Sequence, residues 1–174
     1  MNMPNLLRSD LSGRSCGECS ACCTALAIHE LKKPPHKACP NCSSGTRCDI
    51  YPDRPDSCRA FRCQWLDGHS NEDERPDKSG LVRAFFLQRS GLHMTMSEFR
   101  PGALMDPAVR AETCELLEGD VIVTHMPFGK TWETYVPESR LENLWVFFSE
   151  RRRVTDHTPA NEYFAESAQA VPAT

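Results

Sequence analysis

Nine of the ten cysteines lie between residues 16 and 63, and the tenth, Cys114, stands alone. The nine clustered residues are Cys16, Cys19, Cys22, Cys23, Cys39, Cys42, Cys48, Cys58 and Cys63. A cysteine set this dense is either a disulfide framework or a metal site. Because an odd number of cysteines fits a closed disulfide set poorly, the sequence favours metal ligation, with all nine thiols as candidate ligands.

The first block of cysteines has the spacing Cys16-x2-Cys19-x2-Cys22-Cys23. A Cys-x2-Cys turn brings two sulfur atoms close enough to bind one metal ion. Three cysteines at successive x2 spacing can also cap one face of a cubane iron–sulfur cluster, and the bacterial ferredoxin run begins in this way. This chain departs from that run, because Cys23 follows immediately and precedes Thr24 rather than proline. Zinc and iron, the latter as an iron–sulfur cluster, therefore both remain open.

The second block contains the most zinc-like element of the chain, Cys39-Pro40-Asn41-Cys42. It lies in a predicted loop over residues 32–47, where the Pro34-Pro35 pair cannot continue a helix. A short helix is predicted to begin at Pro55 and to place Cys58, Phe61 and Trp65 on one face.

Three arginines, Arg54, Arg59 and Arg62, alternate with the last cysteines. Guanidinium groups can donate hydrogen bonds to sulfur or to backbone carbonyls. Their positive charge also lowers the free energy needed to bring several thiolates close together. Residues 1–70 carry nine Lys and Arg against seven Asp and Glu, so this half is mildly basic. The alternative is that these arginines are only solvated surface residues.

Composition excludes several classes of function. The net charge of −4 argues against a nucleic-acid partner, because phosphate binding needs a clustered basic surface. We expect no membrane partner, since no run of eighteen apolar residues is present, and no signal peptide. A reducing, cytoplasmic location is the resulting prediction, and clustered cysteines there are more often metal ligands than disulfides.

The fold is predicted to be α+β, with a small irregular cysteine-rich, metal-bound module over residues 16–67. A hydrophilic linker over 68–80 would join it to a unit of two hairpins and two helices over 81–150. Residues 24–31 are predicted to form a short strand, with His29 as a polar residue rather than a ligand. Residues 1–15 and 154–174 are predicted to be flexible termini.

Within the α+β unit, the alternation of Leu92, Met94 and Met96 with polar residues predicts a half-buried strand after a first strand over 81–88. A helix over 107–118 is predicted to carry Cys114 as a buried apolar thiol. A second hairpin over 121–136 and an amphipathic helix over 138–150 complete the unit.

Other active-site signatures are absent from the sequence. There is no phosphate-binding glycine-rich loop, no G-x-S-x-G elbow, no H-E-x-x-H and no dinucleotide-binding G-x-G-x-x-G. If the protein is an enzyme, which the sequence leaves open, its chemistry must come from the metal or from a bound cofactor.

The order of the cysteines, with the string I-Y-x-x-R-P-x-x-C-R-x-F-x-C that ends at Cys63, resembles the bacterial YkgJ-type cysteine cluster family. The resemblance covers residues 16 to about 67. It implies a zinc- or iron-chelating domain of the C-x2-C-x2-C-C kind, sometimes described as an iron–sulfur oxidoreductase. The family pattern usually has eight cysteines, so one of the nine here, Cys42 or Cys23, would be spare.

Three functions follow as hypotheses. The first is a metal-binding cysteine cluster protein, with the metal as a structural or electron-transfer centre. The second is an enzyme, either an iron–sulfur oxidoreductase or a relative of flagellin lysine methylase, which has a related cysteine module; this chain is much shorter than that methylase. The third is a zinc module that binds a protein partner.

Overall fold

The structure of the protein, a computed structural model, describes residues 13–43 and 45–143. The helices are α1 Ala21–Ala25, α2 Asp56–Ala60, α3 Pro76–Ser79 and α4 Pro107–Glu118. The strands are β1 Leu81–Gln88, β2 Gly91–Glu98, β3 Ile122–Met126 and β4 Glu133–Tyr135. Short 3-10 helices span His29–Leu31, Tyr51–Asp53, Glu72–Glu74, Ala103–Met105 and Glu138–Asn143. The α+β class predicted from the sequence is confirmed.

The four strands form one mixed sheet in the order β1-β2-β3-β4. β1 and β2 form an antiparallel hairpin, as predicted, and Gly91 supplies the positive φ of 123° at its turn. α4 then carries the chain back, so that β3 lies parallel to β2. β3 and β4 pair antiparallel, which confirms the second hairpin predicted over 121–136, with strands over Ile122–Met126 and Glu133–Tyr135.

Helix α4 has the bounds that its sequence signals predict. The Asp106 carboxylate accepts a hydrogen bond from the amide of Ala108, and the helix ends at Gly119. Val109 and Thr113 are buried one turn apart, so they mark the face that packs on the sheet. Cys114 lies on an adjacent face and is exposed, and the prediction of a buried thiol there is wrong.

Each face of the sheet packs on a different part of the chain. One face and α4 enclose the main core, in which Met94 and Met96 are fully buried, as predicted for core methionines. On the opposite face, Val82 packs on Ala21 and Ala25 of α1. The cysteine-rich segment therefore shares a core with the sheet.

The segment predicted to be a hydrophilic linker, residues 68–80, is structured. The Asn71 side chain accepts hydrogen bonds from the amides of Asp73 and Glu74, and the Glu74 carboxylate accepts one from the Asn71 amide. This capping box begins a 3-10 helix, after which Pro76 starts α3 and is buried. The charged run Glu72–Glu74 was interpreted as part of a linker, but the residue before it, Asn71, caps a helix that orders the run.

Two further predictions of local structure are wrong, and one is only partly covered. Residues 24–31 form the end of α1, a single bridge between Ile28 and Lys33 and a 3-10 helix, not a strand. The helix near Pro55 ends at Ala60, so Trp65 is not on its face. Of the predicted helix over 138–150, the described part is the 3-10 helix Glu138–Asn143, and residues 144–150 lie outside the described residues. So do residues 1–12 and 154–174 of the predicted flexible termini.

We expect His125 to make the fold sensitive to mild acid. Thr113 donates its hydroxyl proton to the carbonyl of Val109, so the Nε2 atom of His125, 3.0 Å away, donates to Thr113. Burial lowers the pKa of His125. The negative charges of Glu133 and Glu98 raise it, but by a smaller amount. Since the unfolded chain takes up the proton more readily, stability is retained above the ordinary histidine pKa and lost as pH falls below it.

The corresponding measurement is the free energy of unfolding against pH for wild type and for His125→Gln, which keeps a donor for Thr113. Between about pH 6.5 and 5, the free energy of unfolding should fall more steeply in wild type than in His125→Gln, by at most about 1.4 kcal/mol per pH unit. Equal slopes for the two proteins would contradict the role given to His125.

Candidate metal centre

Eight of the nine clustered cysteines line one cavity of about 340 Å³ between α1, α2 and the loops around them. They are Cys16, Cys19, Cys22, Cys23, Cys39, Cys48, Cys58 and Cys63. The ninth, Cys42, is buried but does not line this cavity. The structure thus brings together eight of the nine residues predicted as ligands.

The first block is held by a turn and by α1. The amide of Cys19 donates to the carbonyl of Cys16 at 2.9 Å, and Gly17 between them has a φ of 54°. Cys22 and Cys23 then lie on consecutive positions of α1. Because Ala21 and Ala25 are buried against the sheet, α1 fixes both thiols relative to β1.

The second block is tied directly to the first. The amide of Cys39 donates to the carbonyl of Cys23 at 3.0 Å, and the amide of Cys42 donates to the carbonyl of Cys39 at 3.1 Å. Cys39 and Cys42 are among the most buried cysteines, 6% and 9% exposed. The loop over residues 32–47 therefore folds back onto α1.

The last two cysteines are placed by α2 and by β1. Cys58 lies on α2, whereas Cys63 follows it in a segment without regular secondary structure. The amide of Gln64 donates to the carbonyl of Arg83 at 2.8 Å, and the amide of Asp67 donates to the carbonyl of Cys63 at 3.0 Å. These bonds anchor Cys63 beside the sheet.

Burial disfavours the thiolate form at several of these positions. It raises the pKa of the Cys19, Cys48 and Cys58 thiols, and it raises the pKa of Cys63 to about 11. The charges of neighbouring cysteines raise these pKa values further at Cys48, Cys58 and Cys63. Because metal ligation needs thiolates, metal uptake by these groups must release protons.

Cys22 and Cys23 interact with each other directly. A hydrogen bond from the Cys22 thiol raises the pKa of Cys22 well above its ordinary range and lowers that of Cys23 to about 7. A second hydrogen bond from Cys42 and the charge of Lys33 also lower the pKa of Cys23. Of this hydrogen-bonded pair, Cys23 therefore ionises at the lower pH.

Cationic groups surround the thiols. The three arginines predicted to serve the cluster all border the cavity and all donate to backbone carbonyls. Arg54 donates to Tyr51 at 3.0 Å, Arg59 to Arg54 at 2.9 Å and Arg62 to Leu66 at 3.1 Å. The sequence predicted that these arginines donate hydrogen bonds to sulfur or to backbone carbonyls, and donation to carbonyls is confirmed.

Contacts of two residues near the cysteines, Lys33 and Tyr51, were not predicted from the sequence. The Lys33 side chain is buried, and its ammonium group donates to the carbonyls of Thr24, Leu26 and Pro34. The hydroxyl of Tyr51 shares a hydrogen bond with Cys16, which raises the pKa of Tyr51. No spacing rule distinguishes Lys33 from its neighbour Lys32, so only the fold identifies it.

Thiol ligands suit a thiophilic metal, although the cavity thiols do not converge on a common point. All ten cysteines, each in the described part of the chain, are free. Within residues 13–43 and 45–143, no group of three or more His, Cys, Asp or Glu side chains is arranged as it stands to hold a metal ion. Ligation would therefore require the cavity thiols to turn toward a common point.

The chain has no significant match among protein-family models, curated proteins or solved structures. Among the described residues, no helix is long and apolar enough to cross a membrane.

Proposed function

We propose that the protein binds zinc or iron, the latter as an iron–sulfur cluster, through its clustered cysteines, as the resemblance to the YkgJ-type family implies. The observation that carries the proposal is the single cavity lined by eight free thiols. The resemblance itself is carried by the order of the cysteines and by the string that ends at Cys63. A reducing, cytoplasmic location belongs to the same proposal, because it keeps thiols available to a metal.

The environment of the thiols supports a bound cation. The charges of neighbouring cysteines raise the pKa values of Cys22, Cys48 and Cys63, so ionising the cavity thiols together without a cation is unfavourable. A divalent metal would reverse this effect, and the nearby guanidinium and ammonium groups would offset the remaining negative charge. Bound zinc would cross-link the loops, whereas an iron–sulfur cluster would also supply electron transfer.

An iron–sulfur oxidoreductase or methyl-transfer relative is the second candidate. The observation in its favour is the size of the cavity, about 340 Å³, because such chemistry needs a pocket beside the cluster. Tyr51 and Arg54 also border this cavity and stack with 3.9 Å between the guanidinium carbon and the ring centre. These two side chains would contact a substrate there.

The test is metal and sulfide analysis, with a visible absorption spectrum, of protein purified without oxygen. We expect stoichiometric metal in wild type and in Cys114→Ala, since Cys114 is exposed on α4. Iron with sulfide and a brown colour bleached by dithionite would favour the second candidate, and zinc in a colourless solution would favour a structural centre. Metal far below one ion per chain, with no uptake of added Zn²⁺ or Fe²⁺, would overturn the proposal.

A further inference from the structure

We propose that the eight cavity cysteines form two separate four-thiolate centres, and that Cys42 belongs to neither. The Cys63 group consists of Cys16, Cys19, Cys22 and Cys63. The Cys58 group consists of Cys23, Cys39, Cys48 and Cys58. This inference rests on the proposed metal binding and assigns each thiol to a centre.

The geometry of α1 separates the two groups at Cys22 and Cys23. Consecutive residues of a helix point about 100° apart around its axis. Ala21 and Ala25 mark the side of α1 that faces the sheet, so Cys22 lies on the flank of that side and Cys23 lies opposite it. Cys22 and Cys23, although adjacent in sequence, therefore point to different sides of α1.

Apolar packing divides the other thiols in the same way. Cys19 and Cys63 pack with Ala21, Ala25 and Val82, next to the sheet. Cys23, Cys39, Cys42 and Cys58 pack instead with Ile28 and Leu31, away from it. None of these six thiols is shared between the two clusters.

Backbone hydrogen bonds place the remaining two cysteines. The amide of Cys19 donates to the carbonyl of Cys16 at 2.9 Å, so Cys16 lies in the same turn as Cys19. The amide of Asp49, the residue after Cys48, donates to the carbonyl of Asn41 at 2.9 Å, so Cys48 lies beside the loop of Cys39. Cys16 thus belongs with Cys19, and Cys48 belongs with Cys39.

Cys42 has a different role, as the donor of a hydrogen bond to Cys23. It is 9% exposed and lies outside the cavity wall, although the Cys-x2-Cys spacing with Cys39 predicts a ligand. We therefore assign it as a positioning residue that holds the Cys23 thiol. The direct contact between Cys22 and Cys23 makes the two centres close neighbours.

The first experiment measures Zn²⁺ bound per chain, after adding Zn²⁺ to metal-free protein, in wild type and in cysteine-to-serine variants. Wild type should bind two equivalents. Cys63→Ser and Cys58→Ser should each lose one equivalent. Cys16→Ser combined with Cys63→Ser should also lose one, whereas Cys58→Ser combined with Cys63→Ser should lose both. Cys42→Ser should keep both equivalents, as should the surface control Cys114→Ser.

A second measurement needs no variant and so does not depend on their folding. Wild type loaded with ¹¹³Cd²⁺ is examined by NMR for coupling between each metal nucleus and the cysteine β protons. The proposal expects one metal coupled to the Cys63 group and another coupled to the Cys58 group. Coupling of Cys63 and Cys58 to the same metal, or of Cys42 to any metal, would overturn the division while leaving metal binding intact. Wild type that takes up none of Zn²⁺, Cd²⁺ and Fe²⁺ would instead overturn the proposed function.

Discussion

Replacing Cys19 by serine should remove the metal of the Cys63 group and destabilise the metal-loaded protein by on the order of 3–5 kcal/mol, because a structural metal contributes directly to folding free energy. Cys19 is suited to this test because it lines the cavity and also packs with Ala21, Ala25 and Val82 at the junction with the sheet. Loss of its thiolate would loosen the attachment of α1 to β1. Metal content and the midpoint of thermal unfolding are the measurements.

The matched control is Cys114→Ser, which makes the same chemical change on an exposed position of α4. It should leave metal content unchanged and shift stability by less than about 0.5 kcal/mol. If Cys19→Ser keeps full metal content and an unchanged melting temperature, Cys19 is not a ligand. A stoichiometric loss of metal in Cys114→Ser would show that Cys114 belongs to the centre.

Replacing Lys33 by methionine should destabilise the protein by about 2–4 kcal/mol, because it removes a buried ammonium group that donates to three backbone carbonyls. Two of those carbonyls, of Thr24 and Leu26, lie at the C-terminal end of α1, and the third lies in the loop that follows, so the change should loosen the cysteine segment more than the sheet. Burial lowers the pKa of Lys33, whereas the charges of Cys39 and Cys23 raise it. Its cation therefore also stabilises thiolates, and we expect metal affinity to fall.

Lys37→Met is the control for this variant, since Lys37 is exposed in the same loop. Chemical denaturation should separate the two variants, and competition with a chelator should show weaker metal retention in Lys33→Met. Equal stability of the two variants would mean that the buried ammonium group does not hold these loops.

The sheet and α4 could be predicted because their signals are local. Alternating polar and apolar residues around Met94 and Met96 predict a strand, and Asp106-Pro107 predicts the start of a helix. The strand is not half-buried as predicted, because its polar residues His93 and Ser97 are buried as well. What could not be predicted is how β2 and β3 come to lie parallel, since that depends on packing of α4 rather than on either strand.

The cysteine segment was harder to predict, because little of it is periodic. Its elements are five residues or shorter, and backbone hydrogen bonds between distant residues hold it, such as Cys39 to Cys23. The spacing predicted that the nine clustered cysteines act together, and eight of them line one cavity. It placed Cys42 with them as well, because a Cys-x2-Cys turn does not show which way each side chain points.

The most direct test of thiolate ligation is X-ray absorption at the metal edge of the protein purified without oxygen. Metal binding through the clustered cysteines predicts a first shell of sulfur atoms at about 2.3 Å for zinc. A first shell made mainly of nitrogen or oxygen atoms, at about 2.0–2.2 Å, would contradict it.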